Sequence, residues 1–132
     1  MAASTPSPHP SQVVLIVDDD RDIRGTLSHV LEDEGYETSA VPNGREALRV
    51  LRDGLRPCVI LLDLTMPGMD GWDFRADQLR DRALSAIPIV VITAAGFRAE
   101  TIQSQLGATG FVRKPLPLDD VLAAIEQACT CE

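Results

Sequence analysis

Three aliphatic runs dominate this chain: Val-Val-Leu-Ile-Val at 13–17, Cys-Val-Ile-Leu-Leu at 58–62 and Ile-Pro-Ile-Val-Val-Ile at 87–92. None alternates apolar with polar residues, as a strand with one wet face does. Continuous runs of this kind read as strands covered by helices on both faces. Between them lie segments with helical apolar spacing. Ile23, Leu27, Val30 and Leu31 mark a helix over 21–35, stopped by Gly35. Ala47, Leu48 and Leu51 mark a second over 43–54, and 71–81 reads as a third. A short, rather polar helix is expected over 98–107, and a last one over 116–129. Weaker strands fit at 36–41 and 110–112. Five strands alternating with five helices imply parallel pairing through right-handed crossovers, hence a doubly wound α/β sandwich.

At 132 residues the chain suits one domain, expected over 12–130 after a Pro/Ser/Ala-rich, disordered tail over 1–11. Apolar residues make up 45% but aromatics only 4%, so the core is built from Val, Leu, Ile and Ala. The net charge of -8 argues against direct nucleic-acid binding, where Lys and Arg must neutralise phosphates. Clustered carboxylates attract a metal cation or a basic partner surface instead. No apolar run approaches the length that spans a bilayer. The segment Met1–Pro10 has neither the basic nor the apolar region of a signal peptide. The three cysteines are odd in number and show no disulfide framework. A reducing cytoplasm is therefore expected. Cys58 reads as a small hydrophobe at a strand start. Cys129 and Cys131 lack the further ligands of a metal site.

Why should the buried-looking run ending at Leu62 stop on a charge, Asp63? A carboxylate there must cap, bind or react. In a doubly wound sheet, ligands bind outside the carboxyl ends of the strands. The first strand ends in Asp18, Asp19 and Asp20, the second run in Asp63 and the third in Thr93; the last short strand leads to Lys114. Parallel strands would bring these carboxylates, a hydroxyl and an ammonium to one rim. Neighbouring carboxylates repel unless a cation relieves them. A few carboxylates with open positions suit Mg²⁺, the usual metal of phosphoryl transfer. Lys114 and Thr93 can bind phosphoryl oxygens. Asp63 is then left as a nucleophile able to form an aspartyl phosphate. The plain alternative is that Asp20 and Asp22 are N-cap and first-turn charges, Lys114 a solvated lysine and Thr93 an ordinary strand residue.

The set Val-Leu-Ile-Val-Asp-Asp-Asp (14–20), Leu-Leu-Asp-Leu-Thr-Met-Pro-Gly-Met-Asp-Gly (61–71), Val-Val-Ile-Thr-Ala (90–94) and Gly-Phe-Val-Arg-Lys-Pro-Leu (110–116) resembles the receiver domain of two-component response regulators, the chemotaxis-regulator-like kind that stands alone. The resemblance covers about 12–130. It implies a flavodoxin-like sheet of order 2-1-3-4-5 and a phosphoacceptor at Asp63. Mg²⁺ would be held by Asp18, Asp19, Asp63 and the backbone carbonyl of Thr65. Thr93 would grip the phosphoryl group and Lys114 would pair with it. Phe111 would be the switch aromatic, with Ala94 leaving it room to turn as Thr93 moves. Thr65 and Ala95 fall where the family tunes dephosphorylation. The Lys114–Pro115 bond is commonly cis in the family.

The resemblance further implies a histidine kinase or histidine phosphotransfer protein as phosphoryl source and a separate, unidentified output protein. Kinase docking would use the first helix and the loop after the fifth strand. The domain would be a monomer or a phosphorylation-dependent homodimer through the fourth-to-fifth-helix face, near Arg98, Asp119 and Asp120. It would not be an enzyme acting on other substrates, but a signalling phosphoacceptor that catalyses its own phosphorylation and dephosphorylation. The alternative is a Mg²⁺-dependent phosphatase or phosphotransferase with an Asp nucleophile. Such an enzyme wants a second acid/base Asp two residues on, where this chain has Thr65. His29 carries no donor signal and reads as a surface residue, and Trp72 as core packing.

Overall fold

The computed structural model describes residues 12–64, 71–93, 99–114 and 118–130. Five strands and five helices alternate: β1 Val13–Val17, α1 Arg21–Asp33, β2 Glu37–Val41, α2 Gly44–Arg52, β3 Val59–Asp63, α3 Gly71–Arg80, β4 Ile89–Thr93, α4 Ala99–Leu106, β5 Gly110–Arg113 and α5 Leu118–Thr130. All neighbouring strands pair in parallel, in the order β2-β1-β3-β4-β5. The doubly wound architecture expected from the aliphatic runs is the one present. Element ends shift by a residue or two, where caps decide the boundary. Asp20 caps α1 by accepting from the amides of Asp22 and Ile23, and the Asn43 side chain caps α2 through the amide of Glu46. Asp20 is thus the capping residue that its place before a helix suggested.

The sheet divides the interior into two cores. Leu15 and Val17 of β1, Ile60 and Leu62 of β3, and Ile89 and Val91 of β4 face α2, α3 and the end of α4, meeting Leu48, Leu51, Phe74 and Leu106. The alternate residues Val14, Ile16, Val59, Leu61, Val90 and Ile92 face α1 and α5, meeting Leu27, Leu31, Val121 and Ile125. This is the period-2 geometry of a strand with helices on both sides, and it explains why the runs are apolar at every position. Fully burying such a side chain contributes about 1.5–3 kcal/mol. Trp72 packs beside the first core, as its helical position suggested, and His29 lies on the surface of α1 near Asp33.

One expectation fails. Cys58 and Cys129 are bonded as a disulfide, with Cα atoms 5.4 Å apart. Counting cysteines by parity and spacing missed this because the partners lie 71 residues apart. They meet only after the final crossover lays α5 across β5, β4 and β3. Residues 1–11, where the tail is expected, and Cys131 lie outside the described residues.

Candidate functional site

Register alone assembles the rim. Val17 pairs with Leu62, so Asp18 and Asp63 follow side by side. Asp63 pairs with Ile92, so Thr93 comes next on β4. Thr93 pairs with Arg113, so Lys114 leaves β5 beside it. The sequence-predicted positions Asp18, Asp19, Asp63, Thr93 and Lys114 therefore share the carboxyl end of the sheet. Thr93 is placed by its backbone; its side chain, Thr65 and Ala94 lie outside the described structure.

Asp18 is wholly buried and Asp63 is 3% exposed, whereas Asp19 is exposed. Lys114 Nζ bridges the buried pair, 3.0 Å from Asp18 Oδ2 and 3.3 Å from Asp63 Oδ2. Lys114 is therefore not the solvated lysine of the plain alternative. Burial opposes its charge. Contact with Asp18 and the negative charges of Asp18 and Asp63 outweigh that and hold the ammonium above its ordinary value.

Asp18 is also fixed from outside the rim. Its Oδ1 accepts from the Asp20 amide at 2.9 Å, its carbonyl accepts from Arg24 Nη1 at 2.7 Å, and its amide donates to Val41 O at 3.2 Å. Arg24 was not singled out from sequence, because an arginine on the first helical turn carries no motif of its own.

The contact of Lys114 with Asp18 Oδ2 is one of charge more than of directed hydrogen bonding. That buried oxygen accepts no aligned hydrogen bond. One carboxylate oxygen from each of Asp18, Asp19 and Asp63 lies within 4.8 Å of the others. An all-oxygen set with an under-satisfied buried member suits a hard divalent cation. The fit comes from residues on two strands whose ends adjoin.

Two supporting residues follow from packing. A Cβ on Gly71 would sit 2.7 Å from both Asp63 O and Leu64 Cα, so only glycine lets α3 start this close to the end of β3. The Gly71 amide donates to Leu64 O at 3.0 Å and completes the junction. Phe111, expected as the switch aromatic, is half-buried against the first core, and the Arg113 guanidinium lies 5.3 Å from its ring centroid. Arg113 was missed from sequence, although its two-residue offset places it on the same strand face as Phe111.

A doubly wound sheet with an acidic, lysine-bridged rim places the chain among the α/β domains that bind ligands at the carboxyl ends of their strands. Residues 14–126 match the family model of the response regulator receiver domain, and the chain belongs to that family. It is 35% identical over 119 residues to the DNA-binding response regulator MtrA of Mycobacterium tuberculosis, a match covering 86% of this chain and 49% of that protein. Among solved structures it resembles the chemotaxis response regulator CheY4 of Vibrio cholerae, with TM-score 0.78, 33% identity and coverage of 89% of this chain and 98% of that one. It also resembles a response regulator receiver protein from Pseudomonas putida, with TM-score 0.81, 25% identity and coverage of 88% and 96%. The chain spans about half the length of the curated relatives it matches, as the MtrA coverage of 49% illustrates. Among the described residues no helix is long and apolar enough to cross a membrane.

Proposed function

We propose that this chain is a phosphorylation switch in which the Asp63 carboxylate takes a phosphoryl group from a histidine kinase or histidine phosphotransfer protein. One observation carries this reading. Asp63 is a nearly buried carboxylate at the end of the central strand β3, clustered with two other carboxylates and touched by a half-buried ammonium. A carboxylate so placed, with charge compensation already at hand, is built for nucleophilic use.

In the step, an Asp63 carboxylate oxygen forms a bond to phosphorus as the phosphorus–nitrogen bond of the donor imidazole breaks. The product is an acyl phosphate. Asp18, Asp19, Asp63 and the Thr65 carbonyl would hold Mg²⁺, which when bound offsets negative charge on the phosphoryl oxygens. Lys114 needs only to turn its Nζ from Asp63 Oδ2 toward a phosphoryl oxygen, keeping Asp18 as its anchor. Thr93, next in register to the partner of Asp63, would offer its hydroxyl to the same group. Phe111 and Ala94 would carry the change outward. The domain would promote its own phosphorylation and dephosphorylation rather than turn over another substrate. It would act in the cytoplasm, through a separate output protein.

The test is intact mass after incubation with Mg²⁺ and acetyl phosphate. A single phosphoryl adduct that hydroxylamine removes, and that Asp63→Asn lacks, is the expected result. An adduct that persists in Asp63→Asn would sink this assignment.

A further inference from the structure

We propose that Cys58 and Cys129 form an oxidation-reversible staple, a modification site that locks the end of α5 to the foot of β3 under oxidising conditions and releases it under reducing ones. The cysteines sit at the edge opposite the acidic rim. Cys58 precedes β3, whose far end is Asp63, about 17 Å away at the usual strand rise. Cys129 lies in the last turn of α5, only 4% exposed and packed among Leu31, Val59 and Ile125 in the second core. Hydrogen bonds to the backbone of each cysteine fix both ends. The Cys58 amide donates to Val13 O at 2.8 Å, and Gln12 Nε2 donates to Cys129 O at 3.2 Å. The 5.4 Å Cα separation falls inside the range that a disulfide spans without backbone movement.

The bond is conditional if the chain works in the cytoplasm, as proposed above. In a thiol-rich compartment a structural disulfide is not the default state. A pair that the fold holds at bonding distance closes by thiol–disulfide exchange when low-molecular-weight disulfides accumulate. The thiolate of Cys58, the more exposed partner, attacks one sulfur of a small disulfide and expels its other half as a thiolate. Cys129 Sγ, as thiolate, then attacks Cys58 Sγ and expels the second half. Two protein thiols become one disulfide, and the small disulfide leaves as two thiols, having gained two electrons and two protons. A small dithiol reverses each step.

Closing the bond joins elements from β3 through α5 in one loop, since the cysteines stand 71 residues apart. A loop of that length removes much freedom from the unfolded chain, so the oxidised protein should melt roughly 10 °C above the reduced one. The effect does not depend on the chemistry of Asp63.

The experiment uses the full chain and a Cys131→Ser variant, each treated with excess oxidised glutathione and then with dithiothreitol. Peptide mapping and thermal denaturation follow each step, with Cys58→Ser and Cys58→Ala as controls. The proposal expects a Cys58–Cys129 linked peptide in both proteins, a melting rise of roughly 10 °C on oxidation, full reversal by dithiothreitol, and no redox-dependent shift in the controls. Alkylation of both thiols after oxidation of the folded protein would overturn it. So would a bond to Cys131 in place of Cys129, or equal melting of the oxidised and reduced forms.

Discussion

Lys114 shows how one side chain can serve two charges. Its ammonium is 3.0 Å from Asp18 and 3.3 Å from Asp63, and Asp18 is wholly buried. Lys114→Met removes the ammonium that touches both carboxylates. Without Mg²⁺ the variant should lose about 2–3 kcal/mol of stability, because a buried carboxylate is left uncompensated. Urea unfolding with and without Mg²⁺ measures this, and Mg²⁺ should restore part of the loss. Because the folded protein holds Lys114 above the ordinary value of 10.5, the lysine's contribution is complete below that value. It is lost as pH rises through the elevated folded value. The stability gap between wild type and Lys114→Met should therefore stay flat through the neutral range and narrow only at strongly alkaline pH. Gly71 makes the same point through sterics. A methyl at 2.7 Å from Asp63 O forces the end of β3 or the start of α3 to move. Gly71→Ala should cost about 1–3 kcal/mol and slow acetyl phosphate labelling of Asp63 by more than its loss of folded fraction explains. The strand-end residues were legible because each is a chemically distinct group at the end of an apolar run. Gly71 was visible only as a helix opener, since its contact with Asp63 is made in space.

At the scale of elements, the join between α3 and α4 was the least legible. Arg75 is 8% exposed and faces no carboxylate among its recorded partners. It donates from Nε to the carbonyl of Leu106, the last residue of α4, at 2.7 Å, and more distantly from Nη2 to Gly107 O at 3.5 Å. Its Nη1 donates to Gln78 Oε1 at 2.8 Å, while Gln78 Nε2 donates to Leu84 O and Ile87 O. The guanidinium thus caps the negative end of α4 from a neighbouring helix, and burial lowers its pKa from the ordinary value. Sequence reasoning did not single out Arg75 or Gln78, because no spacing rule marks a side chain that bonds to a carbonyl 31 residues away. Arg75→Met should lower stability by about 1–3 kcal/mol by leaving buried carbonyls and Gln78 without a donor. Hydrogen exchange should locate the effect, with amides of α4 exchanging faster and those of α1 unchanged. The helices and strands themselves were readable because strand burial on both faces leaves so plain an apolar signature; α1 starts at Arg21 as read, behind its Asp20 cap, and α2 starts one residue later than read, because Asn43 is its cap.

For the whole molecule, a ligand that binds the folded rim but not the unfolded chain must raise the melting temperature with its concentration. Mg²⁺ should do so for the wild type and much less for Asp19→Asn, which loses an exposed member of the carboxylate set and no core contact. The topology was open to sequence reasoning because alternation and crossover handedness leave few choices. The Cys58–Cys129 bond was closed to it, since that pairing is a product of the completed topology. The two-sided sheet has a further consequence. Leu62 and Phe74 share one core, whereas Leu61 and Ile125 share the other, and the backbone of β3 stands between them. Volume lost on one side cannot be refilled from the other. Paired truncations across the sheet should therefore add, while pairs within one core should not. The molecule holds two separate packing problems on one backbone, and each can drift to a new solution without consulting its neighbour.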